Sequence, residues 1–210
     1  MTTLLLIRHA DNDYTGKRLP GRLPNVHLNE KGLAQADSLV NLLSEIPIHA
    51  IYSSPLTRAL ETAQALAKSR NLQINSHLGL IELDYGDWEG KEFTELRKLP
   101  AWKDILDDPE QYSFPNGESA PAAQARVTAT LDSLLETADE DSVIACFSHG
   151  AMISLATAYY LDMPLKKYHG LFVDTCSITA IQIIKGSVKL LYYNLTDHKP
   201  ILPEEPPKKL

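Results

Sequence analysis

The segment TLLLIRHA, residues 3–10, decides the fold, because a short continuous apolar run leads directly into an arginine and a histidine. Such a run is typical of a strand that is buried on both faces of a parallel sheet. The segment VIACFSHG, residues 143–150, has the same form, and AIYS, residues 50–53, is a shorter run of the same kind. We therefore predict buried strands at 3–7, 50–53 and 143–147.

Helical patterns separate these strands. Apolar residues at helical spacing predict packed helices at about 33–43, 122–138 and 151–161. Ser54 followed by Pro55 is typical of an N-cap and the first helical position, so a further helix is predicted to begin there. Strands that alternate with helices in this way predict the α/β class.

The C-terminal part of the chain carries a different signal. Residues 177–184 and 188–193 flank Lys185-Gly186-Ser187, which predicts a β-hairpin. A short strand is also expected at 72–74. Together these elements predict a three-layer α/β/α fold whose sheet is mostly parallel, with an antiparallel edge strand near the C-terminus.

The length of 210 residues fits a single domain, residues 1–210. Residues 86–117 differ in composition from the rest of the chain, since they hold both tryptophans and several prolines, and their hydrophobic periodicity is weaker. We interpret them as a partly helical, lid-like insertion that covers one end of the sheet. The tail from Pro200 is expected to be loose.

Charge and composition restrict the partners. The net charge of −7 argues against nucleic acid or an anionic membrane as a partner. The two cysteines lie in apolar stretches, which predicts buried thiols in a reducing compartment. We find no signal peptide and no apolar run near the roughly 20 residues of a membrane span. We expect a cytoplasmic location, and a homodimer is the candidate assembly.

Two arginines and two histidines follow the predicted parallel strands. Arg8 and His9 come after the first strand, Arg58 after the second and His149 after the third clear strand. Each alone is typical of a surface residue or a structural turn, but ligands bind at the carboxyl ends of parallel strands, where all four would meet. Guanidinium groups match phosphate oxygens, and a neutral imidazole can attack phosphorus if its other nitrogen donates to an acceptor. A protonated histidine could help to neutralise the phosphate.

These segments resemble the histidine phosphatase superfamily, which includes the cofactor-dependent phosphoglycerate mutases. Arg8-His9-Ala10 is similar to its Arg-His-Gly signature, and Ser148-His149-Gly150 is similar to its second histidine motif. Further similar segments, in the same order, are 53–59 with 61–63, the acid motif 82–90, and 117–119 with Arg126. The resemblance reaches to about Ile184 and implies a phosphoglycerate mutase-like fold.

The resemblance also implies roles for individual residues. His9 would be the phosphorylated nucleophile, and Arg8, Arg58 and His149 would bind the phosphate, with His149 also counted as catalytic. Glu82 would be the general acid and then the base, a role that favours a raised pKa. From the residues alone, Glu82 could equally be a solvated carboxylate before a turn. No metal motif occurs, and we expect neither a metal nor another cofactor.

Departures from the family pattern concern the substrate. Ala10 stands where the family has glycine, Thr15 where it often has asparagine, and His27-Leu28-Asn29 where it has Pro-Leu-Thr. Arg22 and Asn25, in the loop over the substrate, are the candidates for substrate contacts.

Three functions remain open at this point. We expect a metal-independent phosphomonoesterase that acts on a small phosphorylated metabolite through a phosphohistidine. A phosphoglycerate mutase is the alternative, but the basic stretch that grips a second phosphate is missing after Trp88-Glu89-Gly90. A non-catalytic phosphate-binding module is a further alternative of a different class.

Overall fold

The computed structural model describes residues 1–184, 186–197, 199–200 and 202, and these form one mixed β-sheet flanked by helices. The strands within the described ranges are β1 Thr2–Arg8, β2 Ala50–Ser53, β3 Ile74–Ser76, β4 Val143–Ser148, β5 Ile178–Ile184 and β6 Ser187–Leu195. Their order across the sheet is β3-β2-β4-β1-β5-β6.

The sheet has a parallel part and an antiparallel part. Strands β3, β2, β4 and β1 pair in parallel, whereas β5 pairs antiparallel with both β1 and β6. The predicted mostly parallel sheet with a C-terminal antiparallel hairpin is therefore confirmed. At the hairpin turn, Lys185 lies outside the described residues, as does the tail from Pro200 apart from Pro200 and Leu202.

Helices cover both faces of the sheet. Their bounds are α1 Glu30–Leu42, α2 Thr57–Arg70, α3 Phe93–Leu96, α4 Pro100–Asp107, α5 Ala120–Thr137 and α6 Gly150–Tyr160, with short 3₁₀ turns at Leu78–Leu80, Gly86–Trp88 and Leu165–Gly170. None of the helices among the described residues is long and apolar enough to cross a membrane.

The apolar run of β1 is buried because its residues face both layers in turn. Leu5 and Ile7 pack in one cluster with side chains of α1 and α2, and Leu4 and Leu6 pack in the other with side chains of α5 and α6. Successive side chains of a strand point to opposite faces, so a strand between two layers must be apolar at every position. The three-layer prediction is confirmed.

The predicted positions of two elements were wrong. The second helix begins at Thr57 with Leu56 in the N-cap position, so Ser54 does not cap it. The short strand expected at 72–74 lies at Ile74–Ser76 instead. In contrast, Asn29 caps α1 by accepting a hydrogen bond from the Gly32 amide at 2.8 Å.

The 86–117 segment is partly helical, as expected, and holds α3 and α4. Its aromatic side chains pack on one another. The rings of Trp88 and Trp102 stack with centroids 5.7 Å apart, and Phe114 meets Trp88 edge-on at 5.3 Å.

Two leucines of α1 test which face of this helix stabilises the protein. Leu39 is fully buried, whereas Leu33, which the helical spacing had placed on the packed face, is 55% exposed. We expect Leu39→Ala to lower the free energy of unfolding by about 2–5 kcal/mol, because it leaves a cavity in the core. Leu33→Ala should change it by less than about 0.5 kcal/mol. Urea unfolding of both variants checks this, and equal losses would contradict the assignment of the buried face.

Candidate active site

The parallel strands β1, β2 and β4 end at the same level of the sheet. Arg8 lies opposite Ser148 in the register, and Ser53 lies opposite Phe147. The amide of His9 donates to the Ser148 carbonyl at 2.9 Å, which carries the pairing one residue further. The residues that follow these strands therefore enter one small volume.

His9 lies buried at the end of β1 with a defined tautomer. Its Nδ1 is 2.8 Å from the Ala10 carbonyl, and since a carbonyl only accepts, Nδ1 carries the proton. The lone pair is then on Nε2. Burial, followed by the charges of Arg58 and Arg8, lowers the pKa of His9 well below its usual value. The imidazole is therefore neutral near pH 7, as a nucleophile must be.

His149 lies beside His9, with ring centroids 5.2 Å apart. Its Nε2 is 2.7 Å from the Ser54 hydroxyl oxygen, which also accepts from the Leu56 amide at 3.3 Å. Ser54 can therefore give its own proton to Nε2, which leaves a proton on Nδ1. Burial and Arg58 lower the pKa of His149 well below its usual value. In that tautomer the neutral ring offers Nδ1–H as a donor, in place of the protonated histidine that the sequence suggested.

The two arginines hold positive charge inside the protein. Arg58 is fully buried, and one of its terminal nitrogens donates to the Gly21 carbonyl at 2.6 Å. Arg8 donates in the same way to the Val173 carbonyl at 2.6 Å. Guanidinium groups stay charged at all relevant pH, so these carbonyls position the arginines without neutralising them.

Several buried N–H donors around His9 have no hydrogen-bond partner among the described residues. They are Arg8 Nε, Asn12 Nδ2, Arg58 Nε, Arg58 Nη1 and His149 Nδ1. Leaving a buried donor without an acceptor costs about 1–3 kcal/mol each, and more for a charged group. A phosphate dianion supplies only acceptors, so it matches such a set. Asn12 was missed in the sequence, where nothing distinguished it from other polar loop residues.

Glu82 reaches the same cavity from the loop after the Leu78–Leu80 turn. It is only 7% exposed, and its Oε1 accepts from the Leu83 amide at 2.9 Å. Burial raises the pKa of this carboxyl, while Arg58 opposes the shift. The alternative of a solvated carboxylate is therefore wrong, and the group has the raised pKa that an acid–base role requires.

Arg22 and Asn25 do not line the cavity. The Arg22 guanidinium donates to the Glu82 carbonyl at 2.9 Å, to Asp84 at 3.1 Å and to Glu118 at 3.0 Å. Asn25 is exposed with a φ of 57°, in the left-handed region. The structure thus brings Arg22 to the carboxylates of Asp84 and Glu118 instead of to the cavity, because these acceptors match the donors of its guanidinium group.

Arg126 is a second arginine that holds the backbone near Glu82 in place. Arg126 grips Glu118 with two parallel hydrogen bonds of 3.0 and 2.8 Å. Its remaining terminal nitrogen donates to the carbonyls of Gly79 and Ile81 at 2.9 and 3.0 Å. The carboxylate of Glu118 is therefore shared by two arginines, and both hold the backbone that carries Glu82.

The cavity measures about 380 Å³ and opens beside His9. Arg8, His9, Asn12 and Glu82 form its polar end, and Trp88 and other residues of the 86–117 segment contribute to its wall. Within the described part of the chain, no group of three or more histidine, cysteine or acidic side chains is placed to hold a metal ion.

Comparisons with known proteins agree with this geometry. A family model described as "Histidine phosphatase superfamily (branch 1)" matches residues 4–196. The chain is 28% identical to phosphoserine phosphatase 1 of Hydrogenobacter thermophilus, over 94% of each protein. It is 31% identical to a 2,3-bisphosphoglycerate-dependent phosphoglycerate mutase of Thermoplasma acidophilum, over 91% of this chain and 92% of the mutase.

A solved structure is similar over nearly the whole fold. It is a phosphoserine phosphatase variant from Entamoeba histolytica in complex with phosphoserine. The TM-score is 0.85 at 30% identity, and the alignment covers 94% of this chain and 99% of the other.

The contacts of Glu118 with Arg22 and Arg126 predict that two sets of Arg–Glu pairs differ in their contribution to stability. Glu118 is 16% exposed and paired with two arginines, whereas Glu92 is 49% exposed and paired with the half-exposed Arg18. We expect Glu118→Gln to lower the free energy of unfolding by about 1–3 kcal/mol, since it leaves the partly buried Arg126 without a counter-charge and Arg22 with Asp84 alone.

Glu92→Gln is the matched control and should cost less than about 1 kcal/mol, because solvent screens its pair. Urea unfolding measures both variants. A Glu118→Gln loss no larger than that of Glu92→Gln would show that the shared carboxylate does not hold the loop.

Proposed function

The chain belongs to the histidine phosphatase superfamily, and on that premise we propose that it is a metal-independent phosphomonoesterase in which His9 passes the phosphoryl group of a small metabolite to water. The observation that carries this proposal is the set of buried N–H donors around His9 that find no acceptor in the described part of the chain. Phosphatase activity of the relatives from Hydrogenobacter and Entamoeba, as their names state it, supports hydrolysis.

In the first step, the Nε2 lone pair of His9 attacks phosphorus and the bond from phosphorus to the leaving oxygen breaks. The Ala10 carbonyl keeps the proton on Nδ1 and so keeps Nε2 free to attack. Glu82, whose raised pKa favours the protonated form, gives its proton to the leaving oxygen. Arg8, Arg58 and His149 share the negative charge of the other phosphate oxygens.

In the second step, the Glu82 carboxylate takes a proton from water as that water attacks the phosphohistidine. The bond between phosphorus and Nε2 breaks, and its electron pair returns to the imidazole. Inorganic phosphate leaves, and His9 and Glu82 are back in their starting protonation states. One carboxyl therefore serves as acid and then as base.

The 86–117 segment acts as a lid in this proposal. Trp88, Phe93 and Trp102 all line the cavity that holds His9, so the segment limits the access of solvent to it. Exclusion of bulk water strengthens the electrostatic interactions of a phosphate with the arginines.

A mutase is less well supported than a phosphatase, although two relatives are named as a mutase or a probable mutase. A mutase must retain a second phosphate, which requires cations beyond the first phosphate site. In this cavity Arg18 is the candidate, and it already pairs with Glu92 at 2.9 Å. The wall is otherwise largely apolar, so water is the better acceptor of the phosphoryl group.

The proposal also includes a cytoplasmic location and a small phosphorylated substrate as the partner. The two cysteines, Cys146 and Cys176, are free and buried, which supports a reducing compartment.

The covalent intermediate can be trapped. Rapid quench with a ³²P-labelled aryl phosphate, in buffer containing EDTA, should label the protein with acid-labile, base-stable phosphate. His9→Ala should show neither label nor turnover, which also distinguishes an enzyme from a binding module. Label on a carboxylate, or turnover that needs added Mg²⁺, would refute the mechanism.

Glu82→Gln tests the general acid. We expect a loss of about 10²–10⁴-fold in kcat/KM for alkyl phosphates, whose leaving groups need a proton, and a much smaller loss for 4-nitrophenyl phosphate. In the wild type, the activity on alkyl phosphates should fall as the pH rises through the raised pKa of Glu82, because only the protonated form can donate. The variant should lack that decline.

Glu95→Gln, at an exposed carboxylate outside the cavity lining, is the matched control and should behave like the wild type. Equal losses with both classes of leaving group would remove Glu82 as the acid.

A further inference from the structure

Although Thr15, Arg18, Tyr85, Ser154, Tyr168 and His169 also line the cavity beyond the phosphate end, most of the side chains there are apolar. They come from three separate segments of the chain and include Leu19, Trp88, Phe93, Trp102, Ile105 and Phe172. The part of a substrate that is bonded to the phosphate must lie against this wall, since His9, Arg8 and Glu82 occupy the polar end.

Aromatic packing makes this wall a preformed surface. Trp102 stacks on Trp88, and Phe93 meets Trp102 edge-on with ring centroids 6.3 Å apart. Trp88 is only 3% exposed, so the base of the stack is fixed in the core. An apolar group that enters the cavity therefore meets side chains that already hold their positions, which favours binding.

Two large apolar side chains of the wall are also exposed to solvent. Phe172 is 67% exposed and Leu106 is 38% exposed, and both line the cavity. Exposed apolar groups that gather at a cavity mark a binding surface more often than a structural need. At this cavity they extend the apolar wall to its opening.

Cations that could bind a carboxylate are not free at this wall. Among the described residues that line the cavity, the cationic or titratable nitrogen groups beyond Arg8 and His9 are Arg18 and His169. Arg18 is paired with Glu92, and burial lowers the pKa of His169, which keeps its ring neutral. A carboxylate placed here would lose its hydration and would gain a counter-charge only by displacing Glu92 from Arg18.

We propose that the substrate is a phosphate monoester with an apolar aryl or alkyl leaving group that carries no carboxylate. This inference rests on the proposed function and narrows it to one substrate class. It differs from the phosphoserine that the related Entamoeba protein binds. Water attacks the phosphohistidine as above, so the products are the apolar alcohol and inorganic phosphate.

A homologous series of n-alkyl phosphates tests the wall without changing the chemistry. Ethyl, butyl and hexyl phosphate have leaving alcohols of nearly equal pKa, so all three need proton donation by Glu82 to the same extent. Burial of each methylene should raise kcat/KM by up to about fourfold, which corresponds to about 0.8 kcal/mol. We expect hexyl phosphate to exceed ethyl phosphate by more than about tenfold, and phosphoserine and 3-phosphoglycerate to fall below butyl phosphate.

The outcomes separate this inference from the proposed function. A flat alkyl series, or phosphoserine turned over faster than hexyl phosphate, overturns the apolar substrate class while hydrolysis through His9 stands. No turnover of any ester, 4-nitrophenyl phosphate included, overturns the proposed function and this inference with it.

Variants at the exposed part of the wall test whether its side chains determine the preference for apolar leaving groups. Phe172→Ala should lower the hexyl-to-ethyl ratio of kcat/KM by about threefold to tenfold. Phe172→Lys should raise the phosphoserine-to-ethyl phosphate ratio by about tenfold, since it supplies the missing cation. Leu78→Ala, at a leucine 72% exposed outside the cavity lining, is the control and should leave both ratios unchanged. Unchanged ratios in both Phe172 variants would contradict the assignment of the wall.

Discussion

Buried positive charge at the carboxyl ends of β1, β2 and β4 is the constraint on which the rest of the structure depends. The fully buried Arg58 and the neighbouring Arg8 contribute donors that no acceptor satisfies among the residues that the structure describes. Such a set is unfavourable for folding on its own, so the two apolar layers and the paired strands must stabilise the fold against it. The resulting preorganisation means that a phosphate dianion meets donors that are already in place.

Burial acts in opposite directions on the two reactive groups. It lowers the pKa of His9, and the charges of both arginines lower it further, so the nucleophile stays unprotonated. Burial also raises the pKa of Glu82 against the opposing charge of Arg58, which favours the protonated form of the acid. One desolvated cavity thus prepares a neutral base and a neutral acid side by side.

Most of the fold and the core of the site were predictable because they depend on short patterns. Continuous apolar runs identified the buried strands, and the ends of parallel strands identified His9, Arg58 and His149 as neighbours. Ser54 was mistaken for an N-cap because Ser-Pro favours a helix start, whereas its hydroxyl bonds to His149.

The contacts that depend on tertiary distance were not predictable. In the sequence Arg22 is simply a cation in a loop. Only the fold shows that its guanidinium donates to Glu118, 96 positions away. Asn12 and the exposed Leu33 carry no local signal that separates them from their neighbours. The apolar wall likewise comes from segments whose meeting the sequence did not reveal.

A crystal structure with orthovanadate tests the central claim most directly, because this ion adopts the geometry of a phosphoryl group in transfer. The account predicts vanadium in line with Nε2 of His9, with oxygens within about 3.2 Å of the free nitrogens of Arg8, Arg58 and His149. Vanadate bound away from His9, or bound there with the Arg58 nitrogens still lacking acceptors, would contradict it.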